Sequence, residues 1–184
     1  MQNEKFKAME EYLAQFSQRV AGTGSRSFFP SSEPRFNEIK AKLTDYLSEM
    51  SGMYPNNVVV ISGGAEGWDH HLAGVAHALE IPFVLCIPNK GYPNYYWIQH
   101  SRTGTDRGDQ FFKMASYASF VEYTAEDVYG VNGIYIGGKH TNFVRNERMV
   151  ELCTELVVYK PSSSGTKHCL DQIKKANKPW REFK

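Results

Sequence analysis

Two short segments that lie far apart in the sequence carry residue types that bind phosphate groups. The first is SGGAEGWD at residues 62–69, directly after the apolar run VVVI at residues 58–61. The second is FVRNERM at residues 143–149, followed by LVVY at 156–159 and SSSGT at 162–166. Glycine- and serine-rich turns between a strand and a helix present backbone N–H groups and the positive end of the helix dipole to an anion. Together the segments predict a site for a phosphorylated, nucleotide-like ligand.

The turn at residues 62–69 supplies many of the candidate binding residues. Its glycines allow the backbone to approach a ligand closely. The candidates in this turn are Ser62, Gly63, Gly64 and Gly67. Asp69 lies in the predicted first helical turn, where it either accepts hydrogen bonds from ribose hydroxyls or interacts favourably with the helix N-terminus. Glu66 is either a solvated side chain or a carboxylate that performs acid–base chemistry, which makes it a catalytic candidate.

The second segment offers a cation followed by a phosphate cradle. Arg145 and Asn146 begin a helix-like stretch, and Arg145 is a candidate both for neutralising phosphate charge and for catalysis. The alternative for Arg145 is an ordinary surface charge. Ser164, Gly165 and Thr166 combine small side chains, hydroxyls and N–H groups at a helix start, which predicts phosphate binding there.

A third turn, GTGSRS at residues 22–27, resembles a dinucleotide-binding fingerprint with serine at its last glycine position. The candidate ligand residues in it are Gly22, Gly24, Ser25 and Arg26. Arg26 can make a forked contact to phosphate. The alternative is a plain tight turn. Either Arg26 or the aromatic residues at 92–97 would cover the base of the ligand, although such aromatic residues more often pack within a core or a loop.

Alternating strands and helices must position these turns. The strands are predicted at residues 18–21, 58–61, 82–87, 120–123, 155–159 and 179–183. The helices are predicted at residues 3–16, 35–50, 68–80, 110–118, 142–153 and 166–176. This alternation is typical of an α/β fold, a single-domain, Rossmann-like, doubly wound parallel sheet with helices on both faces. Because ligands bind at the carboxyl ends of such strands, the turns should lie on one rim.

The ends and the loops of the chain carry further expectations. Residues 1–17 are predicted as an N-terminal amphipathic helix that packs on the domain or contacts another subunit, and residues 18–184 as the nucleotide-binding domain. Residues 89–109 form a long irregular segment, and such segments are usually functional or mobile. Residues 129–139 are rich in glycine, and the sequence predicts no element there.

The composition excludes several classes of protein. The net charge of the 184-residue chain is only +1, so no global basic field attracts nucleic acid. The three cysteines lie in apolar contexts without zinc-ligand spacing, which predicts buried, reduced thiols in a cytoplasmic protein. His70, His71 and His77 lack the four-residue spacing of a helical metal pair, so we expect no metal. The polar N-terminus and the lack of a long apolar run argue against a signal peptide and a membrane span.

The motifs resemble those of the SLOG superfamily of Rossmann-like proteins. SGGAEGWDHHLAGVAHAL is similar to the segment SGxAxGIDxxAHxxAL of the DNA-processing protein DprA. FVRNERMVELCTELVVYKPSSSGT is similar to its FPxRNRxIxxLSxxxVVxEAxxxSGS. The likeness covers residues 19–179, and the single-domain layout is closest to the YpsA-like branch.

The resemblance implies a nucleotide or nucleic-acid ligand on the glycine-rich rim, and frequently a homodimer. The LOG members hydrolyse the N-glycosidic bond of nucleoside 5′-monophosphates with an Arg in an RKxxM-like helix and a nearby Glu. Arg145 matches the first of these, whereas His168 and Cys169 occupy the stretch where the Glu is expected. Glu66 or Glu147 would have to substitute for that Glu.

The leading hypothesis is therefore a protein that binds a nucleotide or a nucleotide-derived small molecule, as a sensor or a sequestering protein. The first alternative is a phosphoribohydrolase of the LOG type. The second alternative is DprA-like binding of single-stranded DNA, which the charge does not favour.

Overall fold

The computed structural model describes residues 2–104, 106–125 and 139–184, including all side chains except those of residues 2–6 and 139. Six α-helices and six strands alternate along these residues. The helices are α1 Gln2–Leu13, α2 Phe36–Met53, α3 Trp68–Ala78, α4 Gly108–Tyr117, α5 Lys139–Leu152 and α6 Ser164–Lys175. The strands are β1 Gln18–Gly24, β2 Val58–Ser62, β3 Phe83–Ile87, β4 Phe120–Tyr123, β5 Glu155–Tyr159 and β6 Trp180–Phe183. A π-helix, Asn94–Gln99, lies between β3 and α4.

The strands form one parallel sheet in the order β4-β3-β2-β1-β5-β6. Every residue of β2 and of β3 is buried, as expected for continuous apolar strands covered on both faces. The chain moves outward from β1 through β2, β3 and β4, then returns to place β5 on the other side of β1. This arrangement confirms the predicted Rossmann-like α/β fold.

Successive residues of each strand face opposite sides of the sheet, which gives the molecule two apolar cores. One core joins the sheet to α2, α3 and α4, and the other joins it to α1, α5 and α6. Met9 and Leu13 of α1 are buried in the second core, and the ring of Tyr12 packs on that of Phe120 in β4 with their centres 5.1 Å apart. The N-terminal helix therefore packs on the domain, the first of the two predicted alternatives.

The structure corrects the predicted turn after β1. Gly22 and Gly24 lie within the strand, because β1 continues beyond residue 21 in register with β5, where Gly24 pairs with Tyr159. A Cβ atom at Gly24 would lie 2.6 Å from Cγ of Trp68, and one at Gly22 would overlap Leu72. These glycines therefore allow α3 to pack closely on the strand.

Neither a membrane-spanning helix nor a cluster of metal ligands is present among the described residues. No helix there is long and apolar enough to cross a membrane. In the same ranges, no three His, Cys, Asp or Glu side chains approach one another as metal ligands would. Residues 129–138 of the glycine-rich stretch lie outside the described residues.

Candidate functional site

A crevice of about 290 Å³ opens at the carboxyl ends of β1 and β5, where the strand order reverses. Open α/β sheets bind their ligands at this position. Its walls come from the end of β1, the turn after β2, the starts of α5 and α6, and the loop after β3. The lining residues are Thr23, Gly24, Arg26, Ala65, Asp69, Tyr92, Tyr96, Arg102, Asn142, Phe143, Arg145, Asn146, Ser163, Ser164, Gly165 and Thr166.

The first turn of α6 forms one wall of the crevice. Ser163 caps the helix, because its Oγ accepts a hydrogen bond from the backbone N–H of Thr166 at 3.2 Å. The Thr166 hydroxyl donates to the carbonyl oxygen of Gly24 at 3.3 Å, which ties the helix start to β1. A Cβ atom at Gly165 would meet nothing within 4 Å. The positive end of a twelve-residue helix therefore faces open space in the crevice.

Arg145 of α5 brings the two sequence-separated segments together. Its side chain is buried, and its Nη1 donates to the carbonyl oxygen of Gly63 in the turn after β2. Its Nε donates to Asn146 Oδ1 at 2.9 Å, and Asn146 Nδ2 donates to the carbonyl oxygen of Gly165 at 2.8 Å. One guanidinium and one amide thus connect the glycine turn with the first turn of α6.

Asp69 provides a buried carboxylate in the same crevice. Its side chain lies 3.9 Å from Nη1 of Arg145. Burial raises the pKa of Asp69 to about 6, although the charge of Arg145 and a hydrogen bond from the Ala65 backbone act in the opposite direction. At neutral pH the group is therefore mostly ionised and can accept hydrogen bonds from a ligand hydroxyl.

Seven of the predicted site residues do not line the crevice. These are Gly22, Ser25, Ser62, Gly63, Gly64, Glu66 and Gly67. Several of them build the turn behind the wall. Ser62 Oγ donates to the carbonyl oxygen of Asp69 at 2.9 Å and accepts from the N–H of Gly64 at 3.2 Å. Gly64 and Gly67 have positive φ angles, which favour glycine at both positions.

Glu66 is neither solvated nor part of the crevice wall. It is 1% exposed and accepts hydrogen bonds from Arg26 Nη2 at 3.3 Å, Ser101 Oγ at 2.5 Å and the Arg102 backbone N–H at 2.8 Å. The last two donors belong to residues 91–102, here called the aromatic loop. The carboxylate therefore anchors the aromatic loop and Arg26 to the turn after β2.

Replacing Glu66 with glutamine should loosen the aromatic loop more than the rest of the fold. Glutamine keeps a carbonyl acceptor but removes the charge that holds Arg26 and two loop donors, and hydrogen bonds to charged groups are the stronger ones. We expect trypsin to cleave after Arg102 several-fold faster in Glu66→Gln, with a small change in melting temperature. Glu49→Gln, on the exposed side of α2, is the matched control and should be cleaved like the wild type. Equal cleavage rates in the two variants would contradict the anchoring role.

Sequence reasoning missed several lining residues. Asn142 and Phe143 precede Arg145 on α5. Asn142 lies one helical turn before the predicted residue Asn146, and this spacing indicates that both side chains lie on the same face of the helix. Arg102 lies in a segment without periodicity, where no sequence pattern gives the direction of a side chain. Tyr92 and Tyr96 belong to the predicted aromatic group and do line the crevice, whereas Trp97 is fully buried and donates to the Gly64 carbonyl oxygen at 2.9 Å.

No protein-family model and no curated protein matches the sequence. Solved structures do match the fold. DprA from Streptococcus pneumoniae is 16% identical with a TM-score of 0.60, over 92% of this chain and 51% of that one. DprA from Helicobacter pylori, described with a single-stranded DNA binding mode, is 16% identical with a TM-score of 0.63, over 93% and 67%. The protein TM1055 is 14% identical with a TM-score of 0.52, over 89% and 72%.

The chain thus spans about half the length of the pneumococcal DprA chain. At these identities the matches show the fold alone. They support the Rossmann-like α/β fold that the sequence predicted.

Proposed function

We propose that this protein binds a nucleotide or a nucleotide-derived phosphate ester in the crevice between β1 and β5. The proposal rests on one observation. The first turn of α6 and three arginines, Arg26, Arg102 and Arg145, line the same cavity at the point where the strand order reverses. Helix N-termini and guanidinium groups are the usual protein partners of phosphate. The homodimer, the cytoplasmic location and the YpsA-like branch stay predictions.

The geometry suggests a place for each part of such a ligand. The phosphate would lie against Ser164 and Gly165, with Arg145 neutralising its charge. The ribose hydroxyls would donate to Asp69. The base would lie against Tyr96, whose ring packs on that of Tyr92 with the ring centres 4.7 Å apart, because aromatic side chains offer contact surfaces to any base. We place the ligand as a bound effector, so that the protein acts as a sensor or a sequestering protein.

N-glycosidic hydrolysis is the second candidate, and Asp69 is the observation that favours it. A buried carboxyl whose pKa is about 6 is suited to acid–base work near neutral pH. In that reaction water adds to C1′ of the ribose and the base leaves with a proton. Neither sequence-predicted substitute lies in the crevice, since Glu66 is an anchor and Glu147 pairs with His168 at 3.4 Å near the protein surface. Chromatography of free base and ribose 5-phosphate tests this candidate.

The binding proposal is tested by a thermal-shift screen against nucleoside monophosphates, NAD, ADP-ribose and cyclic dinucleotides. A ligand at about one-hundred-fold excess over its Kd should stabilise the protein by about 2.7 kcal/mol. A shift with intact nucleotide supports binding without turnover, and a shift with released base supports hydrolysis. If no ligand raises the melting temperature and single-stranded DNA gives a gel shift, the proposal is wrong and binding of single-stranded DNA replaces it.

Gly165 allows the phosphate position to be tested without loss of the fold. A glutamate there should stabilise α6, because an acidic side chain in the first turn interacts well with the helix dipole. The same carboxylate would repel a bound phosphate, so Gly165→Glu should weaken nucleotide binding by about a hundredfold. Gly165→Gln has the same size without the charge and should bind at least about tenfold more tightly than Gly165→Glu. Equal affinities of the two variants, measured by calorimetry, would place the phosphate elsewhere.

A further inference from the structure

A second cavity of about 630 Å³ lies beside the crevice and is lined mostly by residues of the aromatic loop. Arg26, Tyr96 and Arg102 line both cavities. The remaining lining residues of the second cavity are Tyr95, Gln99, His100, Ser101 and Gly104. The crevice is therefore not an isolated pocket, because it shares a wall with a larger space.

The shared wall carries two guanidinium groups. Nη2 of Arg26 donates to the carbonyl oxygens of Tyr96 at 3.2 Å and of His100 at 3.4 Å, and its Cζ lies 4.7 Å from the centre of the Tyr96 ring. The backbone N–H of Arg102 donates to Glu66, and Arg102 is an exposed residue that lines both cavities. Arg26 is held in place and also pairs with Glu66 at 3.3 Å, whereas Arg102 is exposed, and both cations favour an anion that lies across the junction.

Several of the residues that line the second cavity are aromatic. The ring centres of Tyr95 and His100 lie 4.3 Å apart, and Tyr96 meets Tyr95 edge to face at 4.9 Å. Among the described residues that line this cavity, none is a carboxylate. Aromatic rings together with cations are the surfaces on which proteins stack a nucleobase beside its phosphate.

We propose that the natural ligand contains two nucleosides joined by a phosphodiester or a pyrophosphate, and that Tyr95 and His100 form the subsite for the second base. The inference rests on the proposed function, since it assumes that the first nucleotide occupies the crevice. The bridging phosphate lies between Arg26 and Arg102. Three further cavities, between α3 and α4, beside α1, and at β6, share no lining residue with these two, so none of the three extends the site to a third nucleoside.

Calorimetric titrations with ligands of increasing length test the inference. The probes are the four 5′-mononucleotides, the base-matched 5′-phosphorylated dinucleotides and hexanucleotides, and NAD as the pyrophosphate-bridged case. We expect the tightest dinucleotide or NAD to bind about ten- to a hundredfold more tightly than its mononucleotide, the range that stacking of one base provides. The hexanucleotide should gain no more than about threefold over the dinucleotide.

Tyr95→Ala and His100→Ala should each reduce this affinity ratio, and together they should bring it close to one. Both single variants are measured because either substitution alone can disturb the aromatic loop. The melting temperature of each variant shows whether the loop is disturbed. Tyr54→Ala removes an exposed tyrosine at the end of α2 and should leave the ratio unchanged. Equal binding of mono- and dinucleotides would overturn the inference and leave the proposed function standing. A continuing gain up to six nucleotides would overturn it in favour of strand binding, and no binding of any probe would overturn both.

Discussion

Replacing Arg148 with methionine is expected to lower the free energy of unfolding by about 3–5 kcal/mol. Arg148 is buried, and its Nε lies 3.0 Å from an oxygen of the equally buried Glu122 on β4. Its Nη1 reaches Glu10 of α1 at 2.8 Å and Glu151 of α5 at 2.9 Å. Removing the guanidinium leaves Glu122 without its cation in a site where burial already raises the pKa of that carboxyl. Urea denaturation at pH 7 measures the loss.

Two further variants separate the buried network from ordinary surface pairing. Arg35→Met removes an exposed arginine whose partner Glu38 is also exposed, and exposed pairs contribute little to stability, so this variant should unfold nearly like the wild type. In the double variant Arg148→Met/Glu122→Met, no unpaired buried charge remains at position 122, and part of the lost stability should return. If Arg148→Met alone unfolds within about 1 kcal/mol of the wild type, the network does not hold α1 and β4 together.

Acidification from pH 7 to pH 4.5 is expected to destabilise the protein by on the order of 2–3 kcal/mol for each of His70 and His71. Burial lowers the pKa of His70 to about 4 and that of His71 to about 3, assisted by nearby cations. Buried ring nitrogens of both residues make no hydrogen bond within the described residues. In the unfolded chain the two histidines bind their protons near pH 6.5. Their contribution to the free energy of unfolding is therefore complete above that pH and is lost as the pH falls toward 4 for His70 and toward 3 for His71.

Two carboxyl groups also change the stability as the pH falls, and their effects have opposite directions. The pKa of Asp69 is raised to about 6, so protonation of Asp69 stabilises the fold as the pH falls from 6 toward 3.8. Hydrogen bonds from Lys160 and Tyr159 lower the pKa of Glu33 to about 2, so its contribution is lost only as the pH falls below 4.5. The two histidines outweigh the single aspartate, and the net effect is destabilising.

The measurement is the free energy of unfolding as a function of pH in wild type and in His70→Met/His71→Met. The double variant should show a flat or slightly rising stability between pH 6.5 and 4.5, whatever its stability at pH 7. His77→Met replaces an exposed histidine of the same helix, which stacks on Tyr117 at 4.2 Å, and should keep the wild-type slope. An unchanged slope in the double variant would show that other groups cause the acid sensitivity.

The regular elements and the rim were predictable because local patterns determine them. The apolar runs at residues 120–123 and 155–159 coincide with β4 and β5. Parallel pairing of successive strands places their carboxyl ends on one edge, and this is sufficient to bring Arg145 and Gly165 close together. The alternation of strands and helices also indicated the Rossmann-like fold, which the matching structures share at very low sequence identity.

Contacts between distant residues were not predictable. Gly24 is glycine because Trp68 packs against it, and no pattern within residues 22–27 records that neighbour. Glu66 is an anchor because Ser101 lies against it, across a loop without periodicity. Arg148 belongs to the same helical motif as Arg145, but it faces Glu122 on β4 and not the crevice.

The position of Arg26 has a consequence for the kinetics of binding. Its Nη2 is held by the carbonyl oxygens of Tyr96 and His100 in addition to Glu66, so the aromatic loop is ordered around it before any ligand arrives. The conformational entropy of this wall is then lost when the chain folds and not when the ligand binds. Ligands that fit the wall differently will therefore have similar association rate constants and will differ mainly in their dissociation rate constants.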